Sequence, residues 1–504
     1  MIKKNYDKKI KVHSIKYNFI MNFILTASSF IFPLISFPYV SRVLGATANG
    51  KIAFATSLAN YFLMVASLGI PTYGIRACAQ VRDDREKLSQ TVQEIFILNA
   101  VVTSGVIVTY ILVIFLVPQL ETYRVLLIIN GFNILLNMFG MNWLYQALEQ
   151  YDYITFRSML FKILSVILMF AFVHAQSDYV IYAFISVFAS VGSYVFNFIK
   201  VKQFVDLKKR DKYCLKRHVK PIIILFAQNI AVSIYTNLDT VMLGVIKNDT
   251  EVGYYNAAIK IKNVLLNLVC SLANVLLPRM SYYYKNAMLK KFRNTVAKAI
   301  NISSMMALPI VAFFVVNASD CILFIAGNDY INAIPTMKTI TFAIIPNGLT
   351  CILGVQILTA IGQEKYVLYS VVCGAIADII LNFLLIPNLG ATGAAIATVL
   401  AETVVFIIQV IFAKEILRML KKQLRFIKYI IASIVSVGVL FIPHSLKVES
   451  PFFSLVIKGI FFGSVYFICL VLLKDPIIKE CIVKIKIKGD LIFEKLKSMN
   501  KKIK

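Results

Sequence analysis

The residues of this chain whose types and spacing could do chemistry are polar groups set inside long apolar runs. Lys260, Asn263, Asn267, Ser271 and Asn274 follow one another at +3, +4, +4 and +3. On a helix turning 100° per residue they share roughly 80° of arc and rise about 21 Å. Asn130, Asn133 and Asn137 repeat the pattern in a second run, and Ser57, Asn60 and Ser67 in a third. An amide facing hydrocarbon leaves its donors and acceptors unpaired at several kcal/mol. Such faces must therefore meet other helices or a wet cavity. Hydrogen bonding between helices is the ordinary use of a single membrane amide. A continuous stripe with a lysine at one end favours a cavity wall, suited to a ligand rich in hydroxyls such as a sugar.

Ionisable residues inside the runs cost about 2.5–3.5 kcal/mol each at a helix centre and mark function by default. The basic set is Arg42, Arg76, Lys162, Lys260 and Lys262; the acidic set is Asp239, Asp378 and Glu402, with Asn382 one turn beyond Asp378. Cations in a cavity would bind an anionic head such as a diphosphate, with arginine as the bidentate partner. Arg42, Lys162 and Lys260 could instead snorkel to the interface. Carboxylates there could carry protons or sodium for coupling. The candidate substrate-binding residues are thus Arg42, Arg76, Lys260, Lys262, Asn263, Asn267, Asn274, Asn130, Asn133 and Asn137, and the candidate ion-coupling residues are Asp239, Asp378 and Glu402.

Enzyme chemistry finds no footing in this inventory. The stretch from Gly45 to Ile52, GATANGKI, nearly matches a phosphate-binding loop but lacks the magnesium-holding Ser/Thr, and it joins two apolar runs instead of a strand and a helix. Neither HExxH nor GxSxG occurs. The eight cysteines form no CxxC pair, so neither a zinc site nor a disulfide framework is expected. No cofactor is expected.

The elements that must position these residues follow from how charge and hydropathy are sorted. The 504 residues are 59% hydrophobic yet carry a formal charge of +28, with a mean hydropathy of +0.77. Fourteen apolar runs can be marked, at about 17–40, 52–73, 92–117, 124–146, 156–174, 179–199, 221–245, 254–277, 296–317, 333–360, 366–387, 391–413, 427–443 and 452–473. Each is long enough to span a bilayer as a helix, and the tenth is long enough to tilt or kink near Pro346. Of the 53 Lys and Arg, 43 fall in the N-terminal arm, the C-terminal tail and every second connector or the first three residues of the run that follows it. Basic connectors stay in the cytoplasm, which sets both termini inside a multi-pass protein of the cell membrane. A nucleic-acid binder would gather such charge on one solvated face instead.

The chain also repeats itself. Leu44-Gly45 followed by GKIAFA from Gly50 resembles Leu243-Gly244 followed by GYYNAA from Gly253, and the sequence from Ala147 resembles that from Ala360. A unit of six runs is even, so both copies point the same way, as in two lobes rocking about a central cavity. The expected organisation is an all-α polytopic membrane protein of about 14 transmembrane helices. It comprises an N-terminal lobe at 1–205, a basic linker at 206–220, a C-terminal lobe at 221–413, two further spans at 414–473 and a basic tail at 474–504. The tail mixes Ile, Leu and Phe with ten lysines, as a segment lying on anionic membrane lipids does.

The first run and its exit, PLISFPYVSRVLG from Pro33 to Gly45, resemble the opening signature of bacterial polysaccharide flippases, the Wzx-type translocases, within the multidrug/oligosaccharidyl-lipid/polysaccharide exporter superfamily. Further similar stretches are Trp143 to Glu149, Asn237 to Gly244, Gly253 to Lys260, and Asp378 through Asn382 to Gly393. The resemblance implies two six-helix lobes and a cargo of undecaprenyl-diphosphate-linked oligosaccharide repeat units. These would be moved to the outer leaflet by alternating access for capsule or O-antigen synthesis and passed to a polysaccharide polymerase. Peptidoglycan-precursor (lipid II) flippases and cation-coupled multidrug antiporters of the same superfamily are the alternatives. The antiporters commonly have twelve spans and an acidic residue in the first; here the stretch from Lys16 to Arg42 has no Asp or Glu.

Overall fold

The computed structural model describes residues 14–208, 213–270, 282–440 and 450–480, together with residues 280 and 483. Ser271, Asn274 and most of the basic tail lie outside the described residues. What is described is helical throughout, with no strand. Nine helical stretches among the described residues are long and apolar enough to cross a membrane. Two of them, Ile20–Gln80 and Glu364–Phe412, each carry two of the apolar runs. Shorter apolar helices at Asn237–Ile246 and Phe426–Val439 fall on the seventh and thirteenth runs.

Local sequence explains where these helices begin and break. Asp84 caps the Arg85–Leu116 helix by accepting from the backbone N–H of Glu86 and Lys87 at 3.1 and 3.0 Å, satisfying donors that have no partner within the first turn. The Ile15–Ser67 helix is interrupted at Gly45, whose φ of 72° favours glycine. The Glu364–Phe412 helix is interrupted in the same way at Gly390, φ 54°. The tenth run is a chain of short pieces: helices at Ile334–Thr341 and Ile344–Thr350, then a π-helical stretch at Cys351–Leu358. Large apolar side chains such as Leu116, Phe156 and Ile427 stay exposed, as lipid-facing positions require.

The chain forms two compact units. The first comprises the residues up to Ala257 with Ile325–Ala333 and Ala375–Ala397; the second comprises Ala258–Phe324, Ile334–Gly374 and the residues from Thr398 onward. In the first unit the Ile15–Ser67 helix packs on Arg124–Gly140, Tyr151–Phe172 and Lys216–Ile246. Leu88, Trp143, Leu144 and Val201 centre one apolar cluster, and Val40, Leu44, Met169 and Val173 another. In the second unit Leu289–Val316, Phe426–Val439 and Pro451–Leu472 pack in sequence, tied by Lys458 to Asp320 at 2.7 Å.

The charge-poor connectors meet within the first unit, and they meet reciprocally. A Cβ on Gly50 would overlap the Asp249 carbonyl, and one on Gly253 would overlap the Ala46 carbonyl. Thr47 and Thr250, bonded through their hydroxyls at 2.9 Å, stand 203 positions apart, as do Gly50 and Gly253, and Ala46 and Asp249. Matching residues of the two repeats thus cross each other, backbone against backbone, where only glycine fits. Around this crossing Ser41 donates to the Ile325 carbonyl at 3.0 Å, Tyr330 to the Gly45 carbonyl at 3.1 Å and Tyr123 to Asp249 at 2.5 Å. The Ala391 N–H, just past the Gly390 break, donates to Glu251 at 2.6 Å.

Candidate functional site

Segments of three helices that lie in the first unit bring a buried polar cluster together. Asp239 lies on Lys216–Ile246, Tyr255 on Asp249–Cys270, and Asp378 and Asn382, one turn apart, on Glu364–Phe412. All four are buried, Tyr255, Asp378 and Asn382 completely. Asn382 donates through Nδ2 to Asp239 Oδ1 at 2.6 Å, and the Tyr255 hydroxyl donates to Asp239 Oδ2. The Asn382 Oδ1 atom has no hydrogen-bond partner among the described residues. Tyr61 lies within electrostatic reach of both Asp239 and Asp378, and Asn60 donates to Asn237 at 3.3 Å beside them.

The groups brought together present oxygen, namely the Asp239 carboxylate, the Asn382 amide carbonyl and the Tyr255 phenol, with the Asp378 carboxylate one turn along the helix from Asn382. Oxygen sets suit a hard cation or a proton. No group of three His, Cys, Asp or Glu that could hold a metal ion occurs among the described residues.

The other candidates are distributed as follows. Glu402 and Lys262 belong to the second unit, both buried, and the charges of both reach Cys270. Lys260, half-buried, and Asn263 and Asn267, both exposed, lie on the part of the Asp249–Cys270 helix that belongs to the second unit. Arg42 and Arg76 are exposed in the first unit. Arg42 Nη1 donates to the Pro38 carbonyl at 3.1 Å, and the Arg76 guanidinium lies 5.7 Å from the centre of the Tyr73 ring. In the second amide stripe, Asn130 donates to the Leu126 carbonyl of its own helix at 2.9 Å, Asn133 is half-buried, and Asn137 donates to Ser67 at 3.0 Å. Those two contacts are helix-internal and helix-to-helix bonding. Lys162 donates to Ser28 and Ser29 at 2.9 and 3.0 Å.

Sequence reasoning passed over Tyr255, because an aromatic in an apolar run reads as core. It also passed over a network at the basic end of the first unit. Glu94, fully buried, accepts from the Cys214 N–H at 2.8 Å and pairs with Arg217 at 2.7 Å. It also bonds His218 Nε2 at 2.6 Å, while His218 Nδ1 bonds the Tyr73 hydroxyl at 2.6 Å. Burial pushes the His218 imidazole below its ordinary value, against the opposing pull of Glu94. A carboxylate followed by apolar residues at a run's edge was the only available signal.

Residues 15–284 match the family described as polysaccharide biosynthesis protein, and residues 224–384 match the MatE family. A protein of Escherichia coli (strain K12) named "Putative O-antigen transporter" is 23% identical over 412 residues, covering 80% of this chain and 97% of that one. The "Probable low-salt glycan biosynthesis flippase Agl15" of Haloferax volcanii is 22% identical over 48% of this chain and 51% of its own length. Among solved structures, the lipid II flippase MurJ in an inward closed conformation superposes with a TM-score of 0.74 at 15% identity, covering 91% of this chain and all of that one. An inward-facing multidrug resistance MATE family transporter superposes with a TM-score of 0.58 at 15% identity, covering 78% and 99%. The family match extends over more than half the sequence, and the chain belongs to the polysaccharide biosynthesis protein family, as a multi-pass membrane protein.

Proposed function

We propose that the protein moves undecaprenyl-diphosphate-linked oligosaccharide repeat units from the inner to the outer leaflet of the bacterial cell membrane, where a polysaccharide polymerase joins them into capsule or another surface glycan. The observation that carries this is the family match over residues 15–284, which contains Arg42, Lys260, Asn263 and Asn267. The near-complete coverage of the Escherichia coli relative supports a glycan cargo. In this proposal the two sequence lobes alternate in access, the termini and basic connectors lie inside, and the crossing at Gly50 and Gly253 is the outer seal. The cations and amides hold the diphosphate and sugars, while the lipid tail stays in the bilayer. No catalysis is needed, since no bond is made or broken.

Coupling to a proton or sodium gradient is assigned to Asp239 and Asp378, with Tyr255 and Asn382 completing the oxygen set and Glu402 as a further candidate. The MatE match spans Asp239, Asp378 and Asn382 and supports this. The same match favours, as a second reading, cation-coupled drug export.

Proteoliposomes holding a fluorescent lipid-linked oligosaccharide separate the readings. The proposal expects transfer of the labelled head between leaflets and its loss in Arg42→Ala with Lys260→Ala. Full export of surface polysaccharide by that double variant at normal protein levels would defeat the cationic grip. Transport indifferent to collapse of both proton and sodium gradients would defeat the coupling. Drug export predicts changed resistance on deletion with unchanged surface glycan.

A further inference from the structure

Beside the crossing of the two repeats, within the first unit, lies a pocket of about 490 Å³ that the candidate sets do not use. Four connectors contribute to it: Lys51 and Thr47 from the first, Gln176 from the 173–179 turn, Thr250 and Tyr254 from the third, and Asp329 from the fourth. The volume falls within the range of about 300–1,000 Å³ typical of small-ligand pockets. Its walls are held in place from behind. Asp178 accepts from the backbone N–H groups of His174 and Ala175, both at 2.9 Å, fixing the turn that presents Gln176. Those two bonds hold the Asp178 carboxyl below the usual carboxylate range. Tyr254 packs edge-on to the fully buried Tyr330, 6.1 Å between ring centres.

The polar ends converge on one glycine. A Cβ on Gly45 would stand 3.1 Å from an Asp329 carboxylate oxygen and 3.3 Å from the Gln176 side-chain nitrogen. An acceptor and a donor are therefore presented side by side where the chain has no side chain. Lys51 extends over the Tyr179 ring, 5.8 Å from its centre. One lysine balances one aspartate in the lining, so the pocket favours neither a bare anion nor a bare cation. It offers hydroxyls, an amide, a carboxylate and two aromatic rings to a neutral, hydroxyl-rich ligand. That is the surface a short saccharide needs: hydrogen bonds in both directions and apolar ring faces to lie on.

We propose that this pocket binds the free sugar portion of the exported glycan on the outer side, and that binding there holds the outer seal shut. The inference rests on the proposed function for its orientation and its sugar. Its consequence is product inhibition. A ligand touching four connectors that must separate for the seal to open favours the closed arrangement by its differential affinity.

The probe is the soluble oligosaccharide released by mild acid from the host's own lipid-linked pool, added outside proteoliposomes of the full-length protein. It is expected to bind saturably, to slow hydrogen exchange at residues 40–51 and 247–257, and to slow transport. Gln176→Ala and Asp329→Asn, both at exposed positions, are each expected to weaken binding about tenfold, the effect of losing roughly one well-made hydrogen bond. Their inhibition by the probe should weaken in parallel. Absence of saturable binding at millimolar probe would overturn the inference, as would binding unchanged in both variants. Transport of lipid-linked oligosaccharide is measured in the same vesicles without probe. If it proceeds while the probe does nothing, the pocket inference alone fails; if no transport occurs, the proposed function itself is lost.

Discussion

The two repeats place opposite chemistry at matching positions. In the second, Asp239, Tyr255 and Asn382 form a buried hydrogen-bonded cluster, with Asp378 one turn away. The offset of 199 that pairs Leu44-Gly45 with Leu243-Gly244 pairs Val40 with Asp239, and the offset of 203 past the connector pairs Ile52 with Tyr255; an offset of 213, set by Ala147 and Ala360, pairs Ser165 with Asp378 and Met169 with Asn382. In the first repeat Ile52 and Met169 pack in one apolar cluster with Val40, Leu44 and Val173. Ser165 donates to the Lys162 carbonyl of its own helix at 2.7 Å. The same backbone frame therefore holds hydrocarbon in one copy and acid in the other. What both copies kept is the crossing, where glycine is a steric necessity. Geometry is shared and chemistry is single.

The sharpest way to break this comparison is at the acid. Asp239→Asn removes the charge that two donors serve. Hydrogen bonds to charged groups contribute about 1.5–3 kcal/mol. The ion concentration giving half-maximal transport should therefore rise about a hundredfold, read in proteoliposomes across a proton or sodium series. Val40→Ala, at its counterpart, should leave that curve in place; equal effects would erase the asymmetry.

Met169→Asn tests the apolar copy from the other direction. An amide placed in that cluster without a partner should cost about 1–3 kcal/mol, seen as a lowered thermal midpoint of the purified protein. An unchanged midpoint would show that the first repeat also tolerates a polar centre. Smaller again is Gly253→Ala, whose methyl meets the Ala46 carbonyl and should cost about 1–2 kcal/mol by the same measurement. Gly438→Ala is the control. Open space surrounds that position, so a helical alanine there should stabilise by about 0.5–1 kcal/mol. Equal outcomes at the two glycines would remove the crossing from the list of shared constraints.

Much of this arrangement was legible in the sequence, for physical reasons that also set its limits. Apolar length and charge placement report directly on a bilayer, so the helical membrane fold could be read from them. The repeat was visible because glycine at the crossing cannot drift. Asp239 and Asp378 stood out because a carboxylate in hydrocarbon needs an explanation. Periodicity, however, states which residues share a helix face and not what that face meets. Asn130 and Asn137 looked like a stripe, yet their amides are turned to the Leu126 carbonyl and to Ser67. Tyr255 and Glu94 were illegible for a related reason: their partners lie on other helices, and no local spacing encodes a contact between distant segments.

The reciprocity at the crossing reaches beyond the present chain. Ala46 faces Gly253 while Asp249 faces Gly50, and Thr47 meets its own counterpart Thr250. Contacts in which i meets j and j meets i are the signature of an isologous interface between two identical subunits. Each half thus carries both faces of the contact it makes. A single six-run ancestor with this motif would have dimerised through it, side by side in the membrane, before any linker joined the copies. Fusion would have released the pair from identity, leaving one half free to carry acid and amide at the positions of Val40 and Met169 while the joint between them stayed fixed.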